Sequence, residues 1–308
     1  MLTPPTTQNP GDTARVKTPV TLLLMLFFIS GFTALLYQVV WQRLLGLFSG
    51  SDVHSVTIVV ASYLLGLGLG SWAAGRLSDR LSRQRAVQTY GLCNLGIAGF
   101  AVLSRFLFYD LLFRHFSLLA QSTAWTLLIV FVSLLIPTFL MGVSLPLLST
   151  AISRSADRAA PLVGLLYGVN TLGSGLGTLL GGWYILGTLG YEQTIYGSAT
   201  LSALVGLVSL GIAWQFDHQA LPTPVSTLQP ATRAVWIWCV LVFCSGLVAI
   251  SLEIIWFRVL ETVLQSIAYT YAHLLAFILI SNALGSVIGA IAVPSIRNPR
   301  QVFLWIQG

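Results

Sequence analysis

Runs of apolar residues long enough to cross a bilayer, one after another along the chain, leave few folds open to it. A transmembrane helix needs about 20 such residues. Windows of that length lie near residues 19–46, 53–76, 87–105, 123–150, 161–186, 194–215, 233–260 and 266–293. In lipid every backbone N–H and C=O must be paired, which leaves helices and closed barrels as the spanning structures, and runs of this length predict helices. Only 8% of the 308 residues are charged, against about 25% in an ordinary soluble domain, too few to cover a water-facing surface. The expected fold is therefore all-α, a polytopic membrane bundle of eight transmembrane helices.

The first 18 residues, "MLTPPTTQNPGDTARVKT", are rich in Pro and Thr and read as a disordered tail. The apolar run that follows is too long for a signal peptide and reads as an anchor. Residues 19–215 then make a first six-helix unit, 216–232 a linker, and 233–308 the first two helices of a second unit. Of the 15 Lys and Arg residues, eleven fall on the side of the N-terminus, Arg105 and Arg114 fall on the other, and Arg43 and Arg258 sit at the outer ends of spans one and seven. That asymmetry predicts a cytoplasmic N-terminus, tail and linker, and a bacterial inner (cell) membrane is the expected location. Arginines beside anionic headgroups account for the net charge of +6 without nucleic acid. Cys93, Cys239 and Cys244 lie in apolar runs, and His54 and His273 stand alone. None has metal-ligand spacing, so neither a metal nor a cofactor is expected.

Two stretches match without a gap: "SGFTALLYQVVWQR", residues 30–43, and "SGLVAISLEIIWFR", residues 245–258. A constant offset of 215 pairs Ser30 with Ser245, Gly31 with Gly246, Ala34 with Ala249, Gln38 with Glu253, Trp41 with Trp256 and Arg43 with Arg258, and one helix later Gly70 with Gly285. With six spans between the copies, both enter the membrane from the same side. This is a parallel six-helix repeat, truncated in its second half.

Such a parallel repeat resembles the two halves of major facilitator transporters. The loop "GRLSDRLSRQR" is similar to that family's cytoplasmic motif at Gly75, Asp79, Arg80, Arg83 and Arg85, with Ser82 where the family usually has a second Gly. Asp79 would cap or pair with the neighbouring arginines, an arrangement that in facilitators helps to hold one conformation. "PTFLMGVSLPLL" (137–148) and "GLLYGVNTLGSGLGTLLGGWYILGTLG" (164–190) resemble the membrane region of spermidine synthase-like proteins, in which a facilitator-like bundle is fused to an aminopropyltransferase-type domain. Gln38 stands where that family often has Glu. No G-x-G-x-x-G loop occurs and the only adjacent glycines, Gly181 and Gly182, lie in an apolar span, so the chain reads as a membrane portion, a truncated product or a fragment, without the synthase domain.

Burying Glu253 in lipid would cost at least about 2.5 kcal/mol, so it is expected to face a cavity instead. Ser245, Ala249, Glu253 and Trp256 fall in steps of four, four and three on one helix face, mirrored by Ser30, Ala34, Gln38 and Trp41. If the first helix of each half borders a central cavity, Gln38 and Glu253 face each other across it. Glu253 then either binds a cationic solute or a proton, with Trp41 and Trp256 offering cation-π faces, or pairs structurally with Arg43 or another donor. Glu253 and Arg258 are five residues apart, about 140° around the helix, which sets them apart. Asn170 is either interhelical glue or a pathway residue. The glycines Gly164, Gly168, Gly173, Gly177 and Gly181, at four-residue spacing, read as close helix packing. Pro137 and Pro146 read as kinks in span four, with a moving gate as the alternative.

Three functions stay open. The resemblance favours a module that moves or presents a small solute, a polyamine or related cation, for a synthase domain in cis or in trans. A second is a polyamine synthase by parentage, its catalytic domain absent from these residues. The third is a structural anchor. The lipid bilayer is the one partner common to all three.

Overall fold

The computed structural model describes residues 10–49, 53–78, 80–113, 122–152, 159–216, 233–264 and 270–307. These residues form helices α1 (Pro10–Ser49), α2 (Val53–Ser78), α3 (Arg83–Arg105), α4 (Thr123–Ile152), α5 (Ala159–Leu180), α6 (Leu186–Ala213), α7 (Arg233–Leu264), α8 (Thr270–Ala292) and the short α9 (Pro299–Gln307), with no strand among them. Among the described residues, six helical stretches are long and apolar enough to cross a membrane. One of these, Ala160–Ala213, is 54 residues long, well beyond the 20 or so that one crossing needs. Gly190 divides it: at φ 74° it adopts a left-handed conformation open to glycine. The break falls between the expected fifth and sixth spans.

Helix α1 begins at Pro10, inside the segment expected to be a disordered tail. The helix thus runs from the polar segment into the membrane run without interruption. Residues 1–9 and most of the expected linker lie outside the described residues.

The bundle is organised around α1, which packs along α5 and α6, while α2 lies along α4, α3 along α6 and α4, and α8 along α5. Small residues allow the closest of these crossings. A Cβ on Gly173 or Gly177 would collide with the backbone oxygen of Phe28 or Phe32, and one on Gly164 or Gly168 would press on α8 at Ala290 or Val287. The glycine spacing of α5 therefore serves packing on two faces, toward α1 and toward α8. Pro137 and Pro146 both lie inside α4, which continues through them.

Around Trp41 the chain builds its densest aromatic cluster. The indole stacks on Tyr37 at 5.1 Å and meets Phe100 and Phe108 edge-on at 5.5 and 6.3 Å. Its Nε1–H donates to Ser104 Oγ at 2.9 Å, which satisfies the donor that burial would otherwise strand. Helix α7 is the opposite case. It touches α8 sparsely, and no residue of its apolar stretch Trp236–Trp256 is buried.

Candidate functional site

A cavity of about 550 Å³ opens among α1, α2, α4, α5, α7 and α8, within the range of small-molecule sites. Gln38, Asn170 and Glu253, three of the residues singled out in the sequence, line it together. Gln38 is 8% exposed, and Glu253 is half-buried on the sparsely packed α7. Neither these three nor Asn282, a fourth lining residue from α8, forms a side-chain hydrogen bond or ion pair with any described residue. The lining hydroxyls differ. Ser30 donates to Asn94 Oδ1 at 3.1 Å, Ser71 to the Gly142 carbonyl at 2.9 Å and Ser174 to the Gly31 carbonyl at 3.2 Å. These three serine donors are thus spent on holding helices together, while three amides and one carboxylate are left facing the space, with the hydroxyls of Tyr167 and Thr171 beside them.

The expected four-residue face is realised only in part. On α1, Ser30, Ala34 and Gln38 line the cavity, and Trp41 does not. A step of three places Trp41 about 60° back from Gln38 around the axis, on the side where Ser30 meets α3, and the large indole is drawn into the aromatic cluster there. On α7, Ile250, Glu253 and Ile254 line the cavity, whereas Ser245, Ala249 and Trp256 do not. Ser245 Oγ instead donates to Gln307 Oε1 of α9 at 2.8 Å. Trp41 and Trp256 therefore offer no cation-π face to this space, and Tyr63, Tyr167 and Phe27 are the aromatic residues that border it. Arg43 is half-buried and away from the lining. The side chain of Arg258 lies outside the described residues.

The motif between α2 and α3 is less loop-like than expected. Arg83 is the first residue of α3 and only 9% exposed. Its Nε donates to the Ala151 carbonyl at 2.6 Å, with Nη2 3.5 Å from the Ile152 carbonyl, so a cation sits on the last carbonyls of α4, where the helix dipole favours it. Ser82, the departure from the facilitator pattern, is the N-cap of α3 and its Oγ accepts from Arg85 N–H at 3.3 Å. Arg80 and Arg85 are exposed, and Gly75 has open space beside it. Asp79 lies outside the described residues.

Sequence reasoning overlooked Asn282, Tyr63 and Tyr167. Asn282 carried a readable signal, an amide in the middle of the apolar run "LLAFILISNALGSVIG". The tyrosines carried none, since their chemistry suits packing equally well. Among the described residues no group of His, Cys, Asp or Glu side chains could hold a metal ion. In comparisons with known proteins, no family model, curated protein or solved structure matches the chain.

Proposed function

We propose that this chain is a facilitator-like membrane module, resembling that of spermidine synthase-like proteins, whose cavity binds a small cationic solute and moves or presents it. The observation that carries the reading is Glu253. Among the described residues it is the one side chain of Asp, Glu, Lys, Arg or His on the cavity lining, and it has no ionic partner among them. An intramembrane carboxylate held toward a cavity marks a solute or proton path by default. The pairing with Arg43 loses ground because Arg43 is not on the lining.

Eight spans, a cytoplasmic N-terminus and a truncated parallel repeat belong to the same proposal. In support of the repeat, the bond from Ser245 on α7 to Gln307 on α9 parallels that from Ser30 on α1 to Asn94 on α3. A cysteine at Arg80 in intact bacterial cells should resist an impermeant thiol reagent, and one at Glu192 should react. The reverse pattern overturns the orientation.

The binding test uses radiolabelled ethylammonium and the purified chain. Saturable binding is expected, with at least a tenfold loss in Glu253→Gln protein that elutes and melts like the original. Undiminished binding by that folded variant would sink the cation reading.

A further inference from the structure

Building on the cation reading of this cavity, we infer that its solute carries a single positive charge: a monoamine whose remaining body is uncharged, rather than a diamine or polyamine. The charge inventory of the lining is the first argument. Glu253 on α7 supplies one carboxylate, and among the described residues the other walls offer the neutral amides of Gln38 on α1, Asn170 on α5 and Asn282 on α8, none of them bonded to another described residue. A second ammonium would leave water for a space in which the described residues offer dipoles but no second counter-charge, and a buried unpaired cation is disfavoured far more strongly than a buried hydroxyl or amide.

The chemistry of those amides points the same way. Each presents both a carbonyl acceptor and N–H donors, a pairing suited to a hydroxyl or amide on the solute. An ammonium has only donors and uses only the carbonyl. The lining hydroxyls of Ser71 and Ser174 already donate to backbone carbonyls, and most of the remaining wall is aliphatic or aromatic, with Leu35, Val60, Leu67, Ile254, Tyr63 and Tyr167 among its members. The solute's charge is thus met by a carboxylate, its apolar part by the aliphatic and aromatic wall, and its neutral polar group by the amides.

Four five-carbon probes of matched length separate the alternatives: 5-amino-1-pentanol, 1,5-diaminopentane, pentylamine and 1-pentanol, each radiolabelled. Equilibrium dialysis of the full chain in phosphatidylcholine nanodiscs avoids adsorption of cations to anionic lipid. The expected result is that 5-amino-1-pentanol binds at least tenfold more tightly than 1,5-diaminopentane, and that both amino probes weaken in Glu253→Gln. Diamine binding as tight as or tighter than the amino alcohol, still dependent on Glu253, overturns the single-charge inference and leaves the cation reading standing. If 1-pentanol binds as well as pentylamine, or if amine binding is indifferent to Glu253→Gln, the cation reading itself fails and this inference with it.

Discussion

Helices α1 and α7 carry the same sequence pattern in opposite surroundings. Trp41 is wholly buried and Trp256 is 59% exposed. Gly31 presses against the backbone of Asn170, and its counterpart Gly246 has open space around it. A repeated sequence therefore does not give repeated burial, because burial depends on what packs against the helix. The polar position shows what the difference means for function. On the enclosed helix it is the neutral Gln38, and on the open helix it is the ionisable Glu253. Glu253 avoids the cost of facing lipid because it lines the cavity shared with α1, α5 and α8.

The largest expected effect is at the tryptophans. Trp41→Ala removes an indole stacked on Tyr37 and bonded to Ser104, and should cost about 3–5 kcal/mol. Trp256→Ala should stay within about 0.5 kcal/mol. Thermal unfolding of both variants in the same detergent measures the gap, and equal losses would mean that α7 is covered much as α1 is.

Next come the paired glycines. Alanine at Gly31 or Gly70 meets the backbone oxygen of Asn170 or Phe139, and overpacking of that kind costs about 1–3 kcal/mol. At Gly246 and Gly285, which have open space, the same change should be neutral or stabilise by up to about 1 kcal/mol through helix propensity. Unfolding midpoints that fall for the first pair and hold or rise for the second sharpen the contrast; falls in all four would break it.

The smallest difference is at the serines. Ser30→Ala strands a buried Asn94 acceptor and should cost about 1 kcal/mol. Ser245→Ala breaks an exposed bond to Gln307, and a change below about 0.5 kcal/mol is expected. Denaturant titration that ranks Ser245→Ala above Ser30→Ala would reverse the assignment of which helix is enclosed.

Much of this fold was legible because lipid makes sequence simple to read. Twenty apolar residues in a row require a helix, and each of the eight apolar windows falls largely on one long helix, with Gly190 breaking the chain inside "ILGTLGYEQT", between the fifth and sixth windows. The polar residues of the cavity were half legible. Glu253, Gln38 and Asn170 stood out because polarity is rare in an apolar run, and they do share one space. Trp41 misled, since a four-four-three spacing fixes a direction only to within about 60° and a large aromatic goes to whichever neighbouring helix can enclose it. Arg83 stood out as a motif residue, but its contacts could not be read. It donates to the backbone carbonyls of Ala151 and Ile152, nearly 70 residues away, and a carbonyl leaves no mark on the sequence.

On the proposed reading, a carboxylate facing the cavity from α7 reads the charge of the solute. Relocating that group is the decisive change: Glu253→Gln alone, then combined with Gln38→Glu, which moves it to the matching position on α1. With radiolabelled pentylamine as the probe, the single variant should lose at least tenfold in affinity, and the double variant should recover part of it, because both positions line one space. Binding that survives undiminished in the folded single variant would contradict the claim.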